Sequence, residues 1–171
     1  SVMVAQTLVS RPLITGVIFG VLCRVPFAGA LFGATFELIN LITLPVGGLL
    51  TWSGAVAAGT ATLLAGIGCA SSISLAGGLA AGIIHSRLEA HERARRAATG
   101  DRLALISAEG GRALGFSFAA SIALHASMTF FVSLGIVTLV PIFYWHWWPS
   151  VPSCVRAGTE FAASVAPWVG L

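Results

Sequence analysis

The 171-residue chain contains no lysine, one aspartate and one tyrosine, and only 9% of its residues are charged. A soluble domain carries about 25%. Hydrophobic residues make up 57% and the mean hydropathy is +0.94, so a soluble fold would have almost no polar surface with which to cover its core. A membrane protein is expected. The net charge of +3 comes from arginine alone, and Arg87, Arg93, Arg95, Arg96 and Arg102 share one polar stretch. A solvated loop obeying the positive-inside rule accounts for that stretch better than a nucleic-acid site. Cys23, Cys69 and Cys154 are far apart, with no ligand spacing, so neither a zinc site nor a disulfide framework is expected. They read as small buried hydrophobes. No basic region precedes the first apolar stretch, which argues against a cleavable signal peptide.

Motifs for chemistry are also lacking. His91-Glu92 has no second histidine at helical spacing, there is no G-x-S-x-G elbow, and Gly66-Ile67-Gly68 lacks the rest of a dinucleotide fingerprint. No enzyme activity, metal or cofactor is implied. His125 lies inside a long apolar run near Ser121, Ser127 and Thr129, where a neutral imidazole bonded across helices is the ordinary account. Glu109 and Glu160 lie near segment ends and carry no assigned role.

What the chain does contain is a series of apolar segments. Residues 38–86 carry no charge, room for two spans of about 20 residues. Pro45, Gly47-Gly48 and Trp52-Ser53-Gly54 interrupt them, which fits a broken helix or re-entrant hairpin; irregular backbone at membrane depth must be buried or line a cavity. Further spans are expected near Ala55–Cys69 and Ile73–Ile84, both rich in Ala and Gly. Ser86 to Asp101 is polar, with Glu89 and Arg93 at i,i+4 spacing, and Arg102 to Gly115 reads as amphipathic. Phe116 to Val140 is the longest apolar run, closed by Pro141, and Tyr144-Trp145-His146-Trp147-Trp148 forms an interfacial aromatic belt. A final apolar segment starts near Val155. The G-x-x-x-G pairs Gly16/Gly20, Gly29/Gly33, Gly78/Gly82 and Gly111/Gly115 read as packing surfaces rather than a dimer motif. The expected fold is all-α: one polytopic membrane domain over 1–171 with short, Gly/Pro-broken helices.

Glu37 is the only charged residue between Arg24 and Arg87. A lipid-exposed carboxylate costs roughly 2.5–3.5 kcal/mol on insertion scales, so it must face protein, water or ligand. Thr35, Asn40 and Thr43 stand near it in sequence. Two readings remain open: a strong acceptor for sugar hydroxyls, or a helix clamp in which Glu37 pairs with Arg11 or Arg24.

Gln6-Thr7-Leu8-Val9-Ser10-Arg11-Pro12-Leu13 resembles the Q-x-x-x-S-R-P-L motif of the IIC permease component of mannose-family sugar phosphotransferase systems. The similarity continues through Gly16, Gly20, Gly29, Gly33, Phe36-Glu37-Leu38 and Leu44-Pro45-Val46-Gly47, and again at Gly100-Asp101 and Ile106-Ser107. The resemblance implies a multi-pass bacterial inner-membrane permease that binds a hexose or amino sugar together with a IID membrane subunit. Soluble IIA and IIB components would phosphorylate the sugar, so this chain would be a transport subunit in a hetero-oligomer. By position Glu37 matches the family's acidic residue and Gln6 the motif glutamine; Asn40 and Thr35 follow by proximity. Ser53 stands where the family has a carboxylate after its glycine break, and Cys23-Arg24 replaces its Gly-Asp. The chain is also short at both ends relative to the family. These departures carry the alternative of a non-transporting scaffold or regulatory homologue.

Overall fold

The computed structural model describes residues 11–42, 52–98 and 111–168. Six α-helices account for nearly all of them, and no strand occurs among them. The helices are α1 (Pro12–Leu22), α2 (Pro26–Ile42), α3 (Gly54–Gly66), α4 (Ser71–Ala98), α5 (Gly111–Trp147) and α6 (Ser153–Val165). Short 3-10 turns follow at Trp148–Ser150 and Ala166–Trp168.

α1 and α2 form a tight antiparallel hairpin because their facing residues lack side chains. A Cβ on Gly16 would collide with the Gly29 carbonyl oxygen, and one on Gly33 would lie 2.8 Å from Leu13 Cα. The first two G-x-x-x-G pairs therefore pack against each other within the chain, as small residues do where helix backbones approach. The turn between them carries Arg24 at φ 61°, in the left-handed region. Such a conformation costs a non-glycine residue about 1–2 kcal/mol. Gly78 and Gly82 form the same kind of contact between α4 and α3, against Ala57 and Ala61. Gly115 meets nothing within 4 Å and makes no such contact.

α3 is the centre of the fold. It is made of Ala, Gly, Thr, Val and Leu with no polar face, and a helix apolar all round belongs inside. It packs against α1, α2, α4 and α5, and Ala57, Ala58, Ala61, Thr62 and Leu64 are buried. Phe32 and Phe36 of α2 close on it with Trp52, whose ring meets that of Phe36 edge-on at 5.5 Å.

Two expected boundaries differ. The polar stretch after Ser86 is not a loop: α4 continues through it to Ala98, about 42 Å in all, with Arg93 Nη2 donating to Glu89 Oε1 at 2.5 Å. Glu, Ala and Arg are good helix formers, so the change from apolar to polar alters the helix's surroundings but not its propensity. Pro141 also fails to end α5, which runs on to Trp147. The proline leaves one carbonyl in the preceding turn without its helical partner, yet the backbone stays helical on both sides of it. Residues 43–51 and 99–110 lie outside the described residues, and with the former the broken helix or re-entrant hairpin expected there.

α5 and the 3-10 turn after it contain a 29-residue stretch, Ile122–Ser150, long and apolar enough to cross a membrane. Phe130, Phe131, Leu139, Ile142 and Phe143 are exposed on it. α6 is amphipathic in the reverse of the usual sense. Arg156, Thr159 and Glu160 are half-buried against the bundle, whereas Cys154, Phe161 and Val165 are exposed. Ser72 Oγ donates to Glu160 Oε1 at 2.6 Å, pinning α6 to the first turn of α4. Of the three cysteines only Cys69 is buried, which corrects the expectation for Cys154.

Candidate functional site

Glu37 sits one turn from the end of α2, where the N-termini of α1 and α3 also arrive. Pro12 opens α1 because its fixed φ and missing N–H suit the first helical position. The following N–H groups have no intrahelical acceptor, and Arg11 offers no side-chain cap. Glu37 supplies one from across the hairpin: Leu13 N–H donates to Oε2 at 3.5 Å, while Arg11 Nη1 donates to Oε1 at 2.7 Å. The Glu37 side chain is 18% exposed and that of Arg11 59%.

Asn40 lies one turn further along the same face of α2. Its amide nitrogen touches Gly54, the first residue of α3; a Cβ there would collide with it and come within 2.7 Å of Pro12 Cγ. Gly54 thus permits three elements to meet. Ser53 immediately precedes it, its N–H donating to the Gly82 carbonyl at 3.1 Å. One small region accordingly holds a carboxylate, an amide and two helix N-termini, which carry partial positive charge. Such an arrangement can accept hydrogen bonds through Glu37 and exchange them through Asn40.

Of the five expected residues, the structure brings Glu37, Asn40 and Ser53 to this end of the bundle. Thr35 does not join them. It is 1% exposed, and its hydroxyl donates to the Leu31 carbonyl at 2.8 Å. Two residues along a helix is about 200° of rotation, so proximity in sequence placed it on the opposite face. Gln6 lies outside the described residues. For the clamp, the geometry selects Arg11; Arg24 occupies the turn at the other end of the hairpin.

A second polar cluster gathers around His125, expected to meet a neighbouring helix; its partner His85 was not singled out in the sequence. His85 of α4 is 4% exposed and pairs edge-on with His125 of α5 at 5.1 Å between ring centroids. Thr129 spends its hydroxyl proton on the His125 carbonyl at 3.0 Å, so His85 Nε2 must be the donor in its 2.8 Å bond to Thr129 Oγ1. The signal was available: two antiparallel helices oppose residues equally far from their connection, and both histidines lie twenty positions from Leu105.

Comparison with protein-family models, with curated proteins and with solved structures finds no match for this chain.

Proposed function

We propose that the chain is a multi-pass membrane subunit of a sugar permease, with Glu37 and Asn40 contributing ligands to the sugar. One observation supports this most: the Glu37 carboxylate and the Asn40 amide lie on one face of α2, beside two helix N-termini. Charged and amide groups held in this way are what a polyhydroxylated substrate needs. The membrane half of the reading is supported by the exposed apolar length of α5 and by α6, whose apolar face points away from the bundle. In the resembling permeases the remaining ligands come from a IID subunit, and IIA and IIB components carry the phosphoryl group; the same division is proposed here. The compartment is then the bacterial inner membrane.

The test is sugar uptake by cells co-expressing the chain with a IID-type subunit and soluble components. A hydrogen bond to a charged group contributes about 1.5–3 kcal/mol, so Glu37→Gln should reduce apparent sugar affinity by about 10–100-fold while the protein stays membrane-inserted. Unchanged uptake in that variant removes Glu37 from the site. A second reading, the non-transporting scaffold, is favoured by the Arg11–Glu37 ion pair, which gives the carboxylate a structural task. It predicts no saturable sugar binding even with the partner present.

A further inference from the structure

Between α1 and α5, with α3 as its floor, runs a groove of about 710 Å³. Its α5 wall extends from Ala126 to Val137, about 16 Å along the helix, and Phe19 and Leu63 face it from α1 and α3. The volume is that of a small-molecule site, and the lining, mainly alkyl and aromatic, favours an apolar occupant. Four hydroxyls border it, and three of their four protons are donated within the protein. Thr15 donates to the Arg11 carbonyl at 3.1 Å. Thr129 is engaged with His125 and His85. Thr60 and Ser133 bond to each other at 3.3 Å, leaving one O–H between the two. A sugar in this groove would lose most of its hydrogen bonds, whereas a hydrocarbon chain would lose none.

A charged residue lies just beyond one end of the groove. Arg11 is the residue before α1, and its carbonyl accepts from the Thr15 hydroxyl, so it stands one turn from the first α1 residue that lines the groove. Its guanidinium carries five N–H donors, and Glu37 is its partner through Nη1. The edge formed by Nε and Nη2 has no other partner among the described residues, and that edge matches a phosphate in bidentate fashion. The α5 wall is also continuous with the exposed face of that helix, where Phe130 and Leu134 lie at the rim.

We propose that this groove holds an acyl chain of an anionic phospholipid whose phosphate sits on Arg11. The proposal rests on the membrane reading above but not on sugar transport. An apolar floor accepts the chain, a half-used guanidinium accepts the headgroup, and the groove opens on the face of α5 that would meet lipid. A bound lipid would fill the space between α1 and α5 and couple lipid charge to the Arg11–Glu37 pair.

The test is native mass spectrometry of the detergent-purified full chain, incubated with phosphatidylglycerol or phosphatidylcholine of identical acyl chains. One phosphatidylglycerol per chain should be retained, about fivefold better than phosphatidylcholine, as expected for one arginine near an anionic headgroup. Ala126→Phe and Val56→Phe, which fill the groove from different walls, should abolish retention of both lipids. Leu139→Phe, on the exposed face outside the groove, should leave it intact. Arg11→Gln should equalise the two lipids without abolishing binding. Helical circular dichroism of each variant verifies the fold.

Equal retention of the two lipids by the unmodified chain overturns the proposal. So does wild-type retention by both groove-filling variants, or a dimer that those variants dissociate, since a second copy would then occupy the groove. Loss of sugar uptake with lipid retention intact would count against the permease alone. Recovery of the chain from the aqueous fraction without detergent would overturn the membrane reading and this proposal with it.

Discussion

The Arg11–Glu37 pair can be weighed by a double-mutant cycle of Arg11→Gln and Glu37→Gln. At about 4 Å, two unit charges at an effective dielectric of 20 attract by about 4 kcal/mol. That figure is a ceiling, because the Arg11 side chain is 59% exposed while Glu37 is only 18% exposed. Water reaching one partner screens the pair, and exposed pairs measure about 0.2–1 kcal/mol. A pair with one sheltered partner should fall near the upper end, so a coupling of about 1 kcal/mol is expected. Glu37→Gln alone should cost more, about 1–2 kcal/mol, because it also weakens the carboxylate at the α1 N-terminus. The 3.5 Å bond from Leu13 N–H is too long to add much. The assay is reversible denaturation in mixed micelles, read by helical circular dichroism for the four proteins of the cycle. A coupling below about 0.2 kcal/mol refutes the clamp. One of about 3 kcal/mol or more, the range of a broken buried pair, refutes the solvent access on which the estimate depends.

Three other outcomes follow from the same geometry. Gly29→Leu should destabilise the hairpin by about 3 kcal/mol or more, because its Cβ would strike the Gly16 carbonyl oxygen and neither backbone can retreat; Gly115→Ala, with nothing within 4 Å, should be neutral or stabilise by up to about 1 kcal/mol in the same denaturation assay. Arg24→Gly should raise stability by about 1 kcal/mol, since φ 61° at this position costs glycine nothing; a lower midpoint would show that the arginine side chain has a stabilising partner. Thr129→Val should cost about 1–3 kcal/mol, because the His85 Nε2–H then has no acceptor in a buried setting, and a loss no larger than that of an exposed threonine such as Thr138 would contradict the bond.

How much of this was legible in the sequence varies with the range of the interaction. Repetition of glycine at four-residue spacing was enough to expect close helix contacts, because the period places small residues on one stripe. It did not say which stripe meets which, and Gly115, at the same spacing, makes no such contact. The helical pairing of Glu89 with Arg93 was readable because it is local. The length of α4 and of α5 was not, because polar character after Ser86 and Pro141 looked like boundaries, whereas backbone propensity carried α4 onward and α5 runs through its proline. Thr35 was grouped with Glu37 by sequence distance, and helical rotation separated them.

Composition alone determined that this chain cannot cover its apolar surface with polar residues, and that Glu37 needs a polar partner wherever it lies. Those conclusions hold because desolvation depends on residue type more than on arrangement. Only the tertiary structure decided that the partner is Arg11 rather than Arg24, that Asn40 meets Gly54, and that α1 and α5 leave a groove over α3. Each is a contact between residues far apart in sequence, fixed by how closely glycine-faced helices can approach and by which ends they bring together.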